Sequence, residues 1–338
     1  MAPRGLRKAL TRVPGLRRLV HAARAVRARA AALRRSVGGD KGRTADTWGR
    51  HAAAKAAGAP EAQRYWTSSP QILKEYIFGY FGGIDWYGFI RTRYCDPTRE
   101  HGLSLCCGDG FTERQLVLWD SIRRCEGIDL SEEAIAVARA QAEAEGLHTM
   151  TYRVADIETL TLPPESYDLV VFWQGLHHLR RPERILREVG RALRPEGILL
   201  VNDYVGPARF QLPQVQVDLI NKWLKQLPPE LRREPNGVIR ETFTPPTVEQ
   251  VIAFDASEAV CSDQILPILT RDFPILERID WGGALLQFLL DGIVQNFSPE
   301  DPEHRAWITR LCEADNEVLE KGVLPTSFTF VIAGKPHP

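Results

Sequence analysis

The segment Leu103 to Gly110, Leu-Ser-Leu-Cys-Cys-Gly-Asp-Gly, constrains this chain more than any other. A short apolar strand runs directly into a glycine-bracketed turn, and a helix-forming run, Phe111 to Trp119, follows it. Gly108 and Gly110 let backbone N–H groups approach a ligand with no Cβ in the way, and the helix that follows turns its positive end to the same place. A nucleotide-like ligand is held in this way.

Strand-like segments recur behind it at nearly regular spacing. Arg124 to Leu130 ends in a carboxylate, Asp129, 19 residues after Gly110, where a unit of this kind sets an acid against ribose hydroxyls. Thr151 to Ile157, Tyr167 to Trp173 and Gly197 to Tyr204 come next. Between them lie helical patterns at Ser131 to Glu145 and Pro182 to Leu193, the second with Ile185, Leu186, Val189 and Leu193 on one face. The alternation predicts a parallel sheet with helices on both faces and a ligand at the carboxyl ends of the strands.

In this order the motifs resemble the class I S-adenosylmethionine-dependent methyltransferases. The likeness covers about 100 residues, roughly a third of the chain. It rests on the turn Leu103 to Gly110, Asp129, the pair Asp156 and Ile157, the block Tyr167 to Leu179, and Leu-Arg-Pro-Glu-Gly at Leu193 to Gly197. The resemblance implies a Rossmann-like α/β fold and S-adenosyl-L-methionine as cofactor. It places the turn, with Cys106, Gly108 and Gly110, at the methionine part, and Asp129 with Leu130 at the ribose. Asp156 and Ile157 fall by the adenine, with Trp173 and Gln174 completing the cofactor site. Two positions depart from the family pattern. Ser104 stands where an acid is usual and Cys106 where the first glycine is usual, so a water-mediated hold on the cofactor's amino group is weakened and the turn is crowded.

An NAD(P)-dependent oxidoreductase uses a similar strand, turn and acid. Its fingerprint, however, needs a third glycine where this chain has Glu113. A pyrophosphate would meet Asp109 and Glu113, whereas a sulfonium with an ammonium group would not be repelled. A methyltransferase fold that binds partners without chemistry is the other alternative.

The overall charge is zero but unevenly placed: residues 1–43 hold 13 Lys/Arg and one acid, leaving the rest at −12. The head carries Leu16, Leu19, Val20, Ala23, Val26 and Ala30 on one helical face. It is expected either to lie on an anionic membrane or the acidic body, or to be a solvated tail. The glycine-rich stretch Val37 to Thr44 reads as its linker. No apolar run reaches the ~18 residues of a membrane span, and the acidic remainder argues against nucleic acid. Six cysteines without C-x-x-C spacing read as reduced and cytoplasmic, and no metal is expected.

The expected organisation is a basic segment at 1–45, an aromatic helical region at 46–100, the cofactor-binding core at 101–205, insert or cap helices at 206–273, and final strands with a helical insertion at 274–338. Tyr65, Trp66 and Tyr76 are the aromatic candidates for the cofactor or a stacked ring. Helices are read at Pro213 to Gln226, Ser257 to Leu269, Ala284 to Asn296 and His304 to Lys321, with strands at Pro274 to Trp281 and Thr326 to Ala333. The late helices either cap an acceptor pocket or form a homodimer surface; both readings stand.

Methyl transfer needs alignment and exclusion of water, plus a base when the acceptor is an unactivated hydroxyl. The ends of strands four and five supply His177, His178 and Asp203 as catalytic candidates, since imidazole titrates near neutrality. Tyr204 reads as pocket wall and Arg209 as a surface residue or an anion contact. The expected acceptor is a small molecule or glycan bearing a hydroxyl.

Overall fold

The computed structural model describes residues 39–56 and 65–336. Seven strands form one sheet: β1 (His101–Leu105), β2 (Arg124–Asp129), β3 (Met150–Val154), β4 (Tyr167–Trp173), β5 (Leu193–Tyr204), β6 (Ile275–Asp280) and β7 (Phe328–Gly334). Their spatial order is β3-β2-β1-β4-β5-β7-β6. The first five are parallel, and β7 runs antiparallel between β5 and β6. The expected parallel core is present, and the two late strands form an antiparallel pair at one edge.

Alternation along the central strands sends residues to two separate cores. In β4, Leu169 and Val171 join one hydrophobic cluster while Val170 and Phe172 join the other, and in β5 Ile198 and Leu200 part from Leu199 and Val201 in the same way. A continuous apolar run is what a strand covered on both faces requires. Two of the covering helices are α3 (Phe111–Leu118) and α4 (Glu132–Ala144), where Ser131 caps α4 by accepting from Ala134 N–H. On the opposite face lies α5 (Pro182–Ala192), begun by proline at its first turn and packed through Ile185, Leu186 and Val189.

The N-terminal region differs from its sequence reading. The stretch expected as a glycine linker runs into a helix, α1 (Asp40–Ala56), because its side chains find partners far along the chain. Lys41 pairs with Asp156 and Glu158, and Thr44 bonds Asp255. Of the basic head, residues 1–38 lie outside the described residues, and with them the amphipathic face. The aromatic region forms short helical turns around Ile72–Ile77 and then α2 (Trp86–Tyr94), capped by Asp85.

The later segments pack on the same chain. They include α6 (Gln214–Leu224), α7 (Val248–Phe254), α8 (Ser262–Asp272), α9 (Leu286–Leu290) and α10 (Pro302–Glu320). The helix expected from Ser257 begins instead at Ser262, since Asp255 accepts from Ser257 and Ala259 takes a left-handed conformation at φ 46°. The pattern Ala284 to Asn296 breaks after Leu290, where Gly292 turns at φ 71°. In α10, buried Asp315 accepts from Tyr76 and from the N–H groups of Gly283, Leu285 and Leu286, joining the late insertion to the N-terminal region.

Candidate active site

At the carboxyl ends of β1, β2, β4 and β5 lies a cavity of about 560 Å³, within the usual range for a small-molecule site. The turn after β1 forms one side. Gly108 has φ 55°, and a Cβ there would meet nothing, so its backbone is open to the cavity. Gly110 stands behind the turn instead: a Cβ on it would fall 2.5 Å from the Tyr152 hydroxyl. It therefore serves packing against Tyr152, and it is not among the residues that line the cavity.

Asp129 fastens this turn. One carboxylate oxygen accepts from Gly108 N–H at 2.9 Å and the other from Ser131 N–H at 2.8 Å. Burial raises its pKa against the pull of these bonds. A carboxylate has about four lone-pair positions, so acceptor capacity remains for a ligand. Leu130, Asp156, Ile157, Trp173 and Gln174 also line the cavity. Asp156, however, spends one oxygen on Lys41 at 2.6 Å, so α1 closes that end.

The aromatic region forms the wall opposite the turn. Tyr87 stacks on Trp173 with ring centroids 5.1 Å apart, and Trp66 and Trp281 stack at 6.1 Å. Of the three aromatic candidates, Tyr65 and Trp66 line the cavity. Tyr76 does not; its hydroxyl is turned to Asp315. The indole N–H groups of Trp66 and Trp86 are buried without an acceptor among the described residues.

His177 and His178 follow β4 on a short 3-10 turn, and their surroundings differ. His177 bonds Asp203 through Nδ1, and its Nε2 lies 3.5 Å from Glu258. Burial disfavours charge on the ring, but the Asp203 and Glu258 carboxylates outweigh it and push the pKa up to about 10. This imidazole is protonated at neutral pH. For His178, burial and the neighbouring charge of His177 hold the pKa below its ordinary value. Against the penalty of burial, the positive charge of the histidine pair, carried at neutral pH by His177, holds Glu258 below the usual glutamate range.

The tautomer of His178 follows from its neighbours. The Ser257 hydroxyl donates its one proton to Asp255 at 2.8 Å, so toward His178 Nδ1, 3.1 Å away, it can only accept. Nδ1 therefore carries the proton. Nε2 is left with its lone pair, buried and without a partner among the described residues. Asp255 is itself held by Thr44 and Trp48 of α1, both at 2.8 Å, and the Trp48 ring meets the His178 ring edge-on at 4.9 Å. His177, His178 and Glu258 also bring ligand-type atoms within 4.8 Å of one another, but a doubly donating His177 makes this set an ion-pair network.

Asp203 lies behind the cavity wall, where its Oδ2 accepts from the Gly175 and Leu176 N–H groups at 3.0 and 2.7 Å. It positions the histidine turn and does not reach the cavity. Tyr204 is also set back, bonding the Pro207 carbonyl, which corrects its reading as pocket wall. Arg209 donates to the carbonyls of Glu258 and Ala256, so it is a loop clamp and not an anion contact. Sequence reasoning missed Lys41, Thr44, Trp48, Asp255, Ser257 and Glu258. Only the tertiary fold brings these distant positions to the strand ends, and no local pattern marks them.

Residues 103–201 match the family model described as a methyltransferase domain. The uncharacterized methyltransferase YcgJ of Bacillus subtilis is 28% identical over 118 residues, 35% of this chain and 46% of that protein. The ubiquinone biosynthesis O-methyltransferase of Coxiella burnetii is 31% identical over 100 residues, 30% of this chain and 42% of that protein. Norajmaline N-methyltransferase of Rauvolfia serpentina is 29% identical over 114 residues, 33% of this chain and 39% of that protein. The chain thus spans less than half the length of these curated relatives. Among the described residues no helix is long and apolar enough to cross a membrane. The matched segment coincides with the strands β1 to β5, the turn and Asp129 described above, so over residues 103–201 the chain is similar to a methyltransferase domain.

Proposed function

We propose that this protein transfers a methyl group from S-adenosylmethionine to a hydroxyl oxygen of a small molecule or glycan, with His178 as the general base. When bound, the cofactor supplies a methyl group on a positive sulfur. The residues present fit it: Gly108 offers an open backbone, Asp129 keeps acceptor capacity, and Glu113 lines the cavity as a buried carboxylate.

The observation that carries the reading is that one cavity joins this turn to a neutral imidazole with a free Nε2. His178 takes the acceptor proton at Nε2 while Ser257 and Asp255 stabilise the charge arriving on the ring. His177 and Asp203 hold the turn from behind. The aromatic walls exclude water and stack an acceptor ring, and the Trp66 and Trp86 N–H groups offer donors to its oxygens. Relatives that methylate oxygen and nitrogen both occur, but a neutral amine needs no base, so the free imidazole favours a hydroxyl.

Calorimetry with S-adenosylhomocysteine tests the cofactor placement. Asp129→Ala removes a buried charged acceptor, each of whose bonds is worth about 1.5–3 kcal/mol. Affinity should fall by at least about tenfold; an unchanged value would sink the placement.

A further inference from the structure

Glu113 is the anomaly of the cavity. It sits in the first turn of α3, is fully buried, and lines the cavity beside Ser104. Neither of its carboxylate oxygens meets a donor in full hydrogen-bonding geometry among the described residues, and the nearby Ser104 hydroxyl and its own backbone N–H only partly offset the burial of its charge. The adjacent cation acts on it only through space: Arg114 eases its charge but donates its hydrogen bonds to Glu145, Gln141 and the Asp109 carbonyl. A buried carboxylate left unpaired is strongly unfavourable, so it implies a cationic partner that arrives with the ligand.

We propose that Glu113 binds the primary ammonium of the ligand's amino-acid end, moving to helix α3 the negative charge that Ser104 does not supply from β1. Three observations converge on this. Ser104 is buried on the sheet face that α3 covers, and its small side chain leaves room there. The Gly108–Asp109 backbone borders the same part of the cavity. Finally, among the described residues Lys41, the other cation lining the cavity beside Arg180, is spent on Asp156 and Glu158, and Arg180 on Asp40.

The inference rests on the S-adenosylmethionine reading, so its test separates the two. S-adenosylhomocysteine carries the ammonium; 5′-methylthioadenosine shares its adenosine and thioether but lacks it. Affinities for both are measured by calorimetry on the wild type, Glu113→Gln and the double variant Ser104→Asp/Glu113→Gln. The expected result is that Glu113→Gln weakens S-adenosylhomocysteine by about tenfold or more and leaves 5′-methylthioadenosine within about twofold, while the double variant recovers much of the loss. The ligand-free Tm of Glu113→Gln at about pH 8 should equal or exceed the wild type, since a buried, only partly offset charge has gone.

Burial pushes Glu113 up to about 7, so S-adenosylhomocysteine should bind more tightly as pH rises from about 6 to 8, and the Gln variant should lose that slope. The groups facing it are Asp109 in the turn, Arg114 on its own helix, Tyr87, Cys107, Cys125 and Tyr152. Burial raises the last four, which keeps them neutral across this range. Equal weakening of both ligands, unchanged binding of S-adenosylhomocysteine, or a lower Tm overturns the assignment of Glu113. Failure of the wild type to bind either ligand overturns the cofactor reading and this inference with it.

Discussion

A Cβ placed on Gly175 would lie 2.4 Å from the Cβ of Cys106. The two residues lie just past the ends of the neighbouring strands β1 and β4. The absence of a side chain on Gly175 is what lets a cysteine occupy the first position of the cofactor turn, where it adopts φ 57°. The crowding expected from Cys106 is thus relieved across the sheet.

The first prediction is a double-mutant cycle on this pair. Gly175→Ala should destabilise the protein by about 1–3 kcal/mol through overpacking. In the Cys106→Gly background the same change should cost less than about 1 kcal/mol. Cys106→Gly alone should keep the fold and leave cofactor affinity unchanged or tighter. Urea unfolding of the four proteins measures the coupling, and additive effects would show that the contact is not felt.

Turnover should distinguish the two histidines. His178→Asn should retain S-adenosylhomocysteine affinity but slow methyl transfer by about 10²- to 10⁴-fold, with the acid limb of the pH profile lost. His177→Asn, a change at the positioning residue, should affect stability more than the limb. Chelation should leave the wild-type rate unchanged. Single-turnover assays with a panel of hydroxylated aromatic acceptors supply the rates, and near-normal transfer by His178→Asn would reduce catalysis to alignment.

Stability should depend on pH through His177. Burial opposes its charge, but Asp203 and Glu258 raise its folded pKa to about 10, above an unfolded value of about 6.5. The folded state therefore holds a proton that the unfolded state releases between these values. Its contribution is complete below about pH 6.5 and is lost as pH climbs toward 10. Urea midpoints should fall over that window in the wild type, and the slope should flatten in His177→Asn; parallel slopes would refute the coupling.

Helix α1 should loosen when its latch is cut. Asp255 accepts from Thr44, Trp48 and Ser257, so Asp255→Ala removes two bonds from α1 and the partner of Ser257 together. Hydrogen exchange over residues 40–52 should speed up by about tenfold or more, with faster cofactor release and lower turnover. If exchange is unchanged, the helix is held by its other contacts: Lys41, the Asp40–Arg180 pair and its packing on α4.

The sequence by itself determined the sheet and the cofactor turn, because these depend on short-range rules. Strand alternation, the caps at Ser131 and Pro182, and the glycine turn are each written within a few residues. Asp129, Asp156, His177 and His178 were legible because they close strands whose order fixes where their ends lie. Long-range packing decided everything else. The linker reading of Val37 to Thr44 failed because glycine content speaks of local freedom, while Lys41, Thr44 and Trp48 are fixed by partners more than 100 residues away. Asp203 carries the chemistry of a catalytic acid, but its backbone contacts set it behind the wall. The same kind of environment separates the neighbours His177 and His178, which the sequence presents as alike. Two carboxylates keep one charged; burial and that charge hold the pKa of the other down, and a serine that can only accept leaves its Nε2 free. Protonation state depends on burial and on neighbouring charge, and both exist only once the chain has closed on itself.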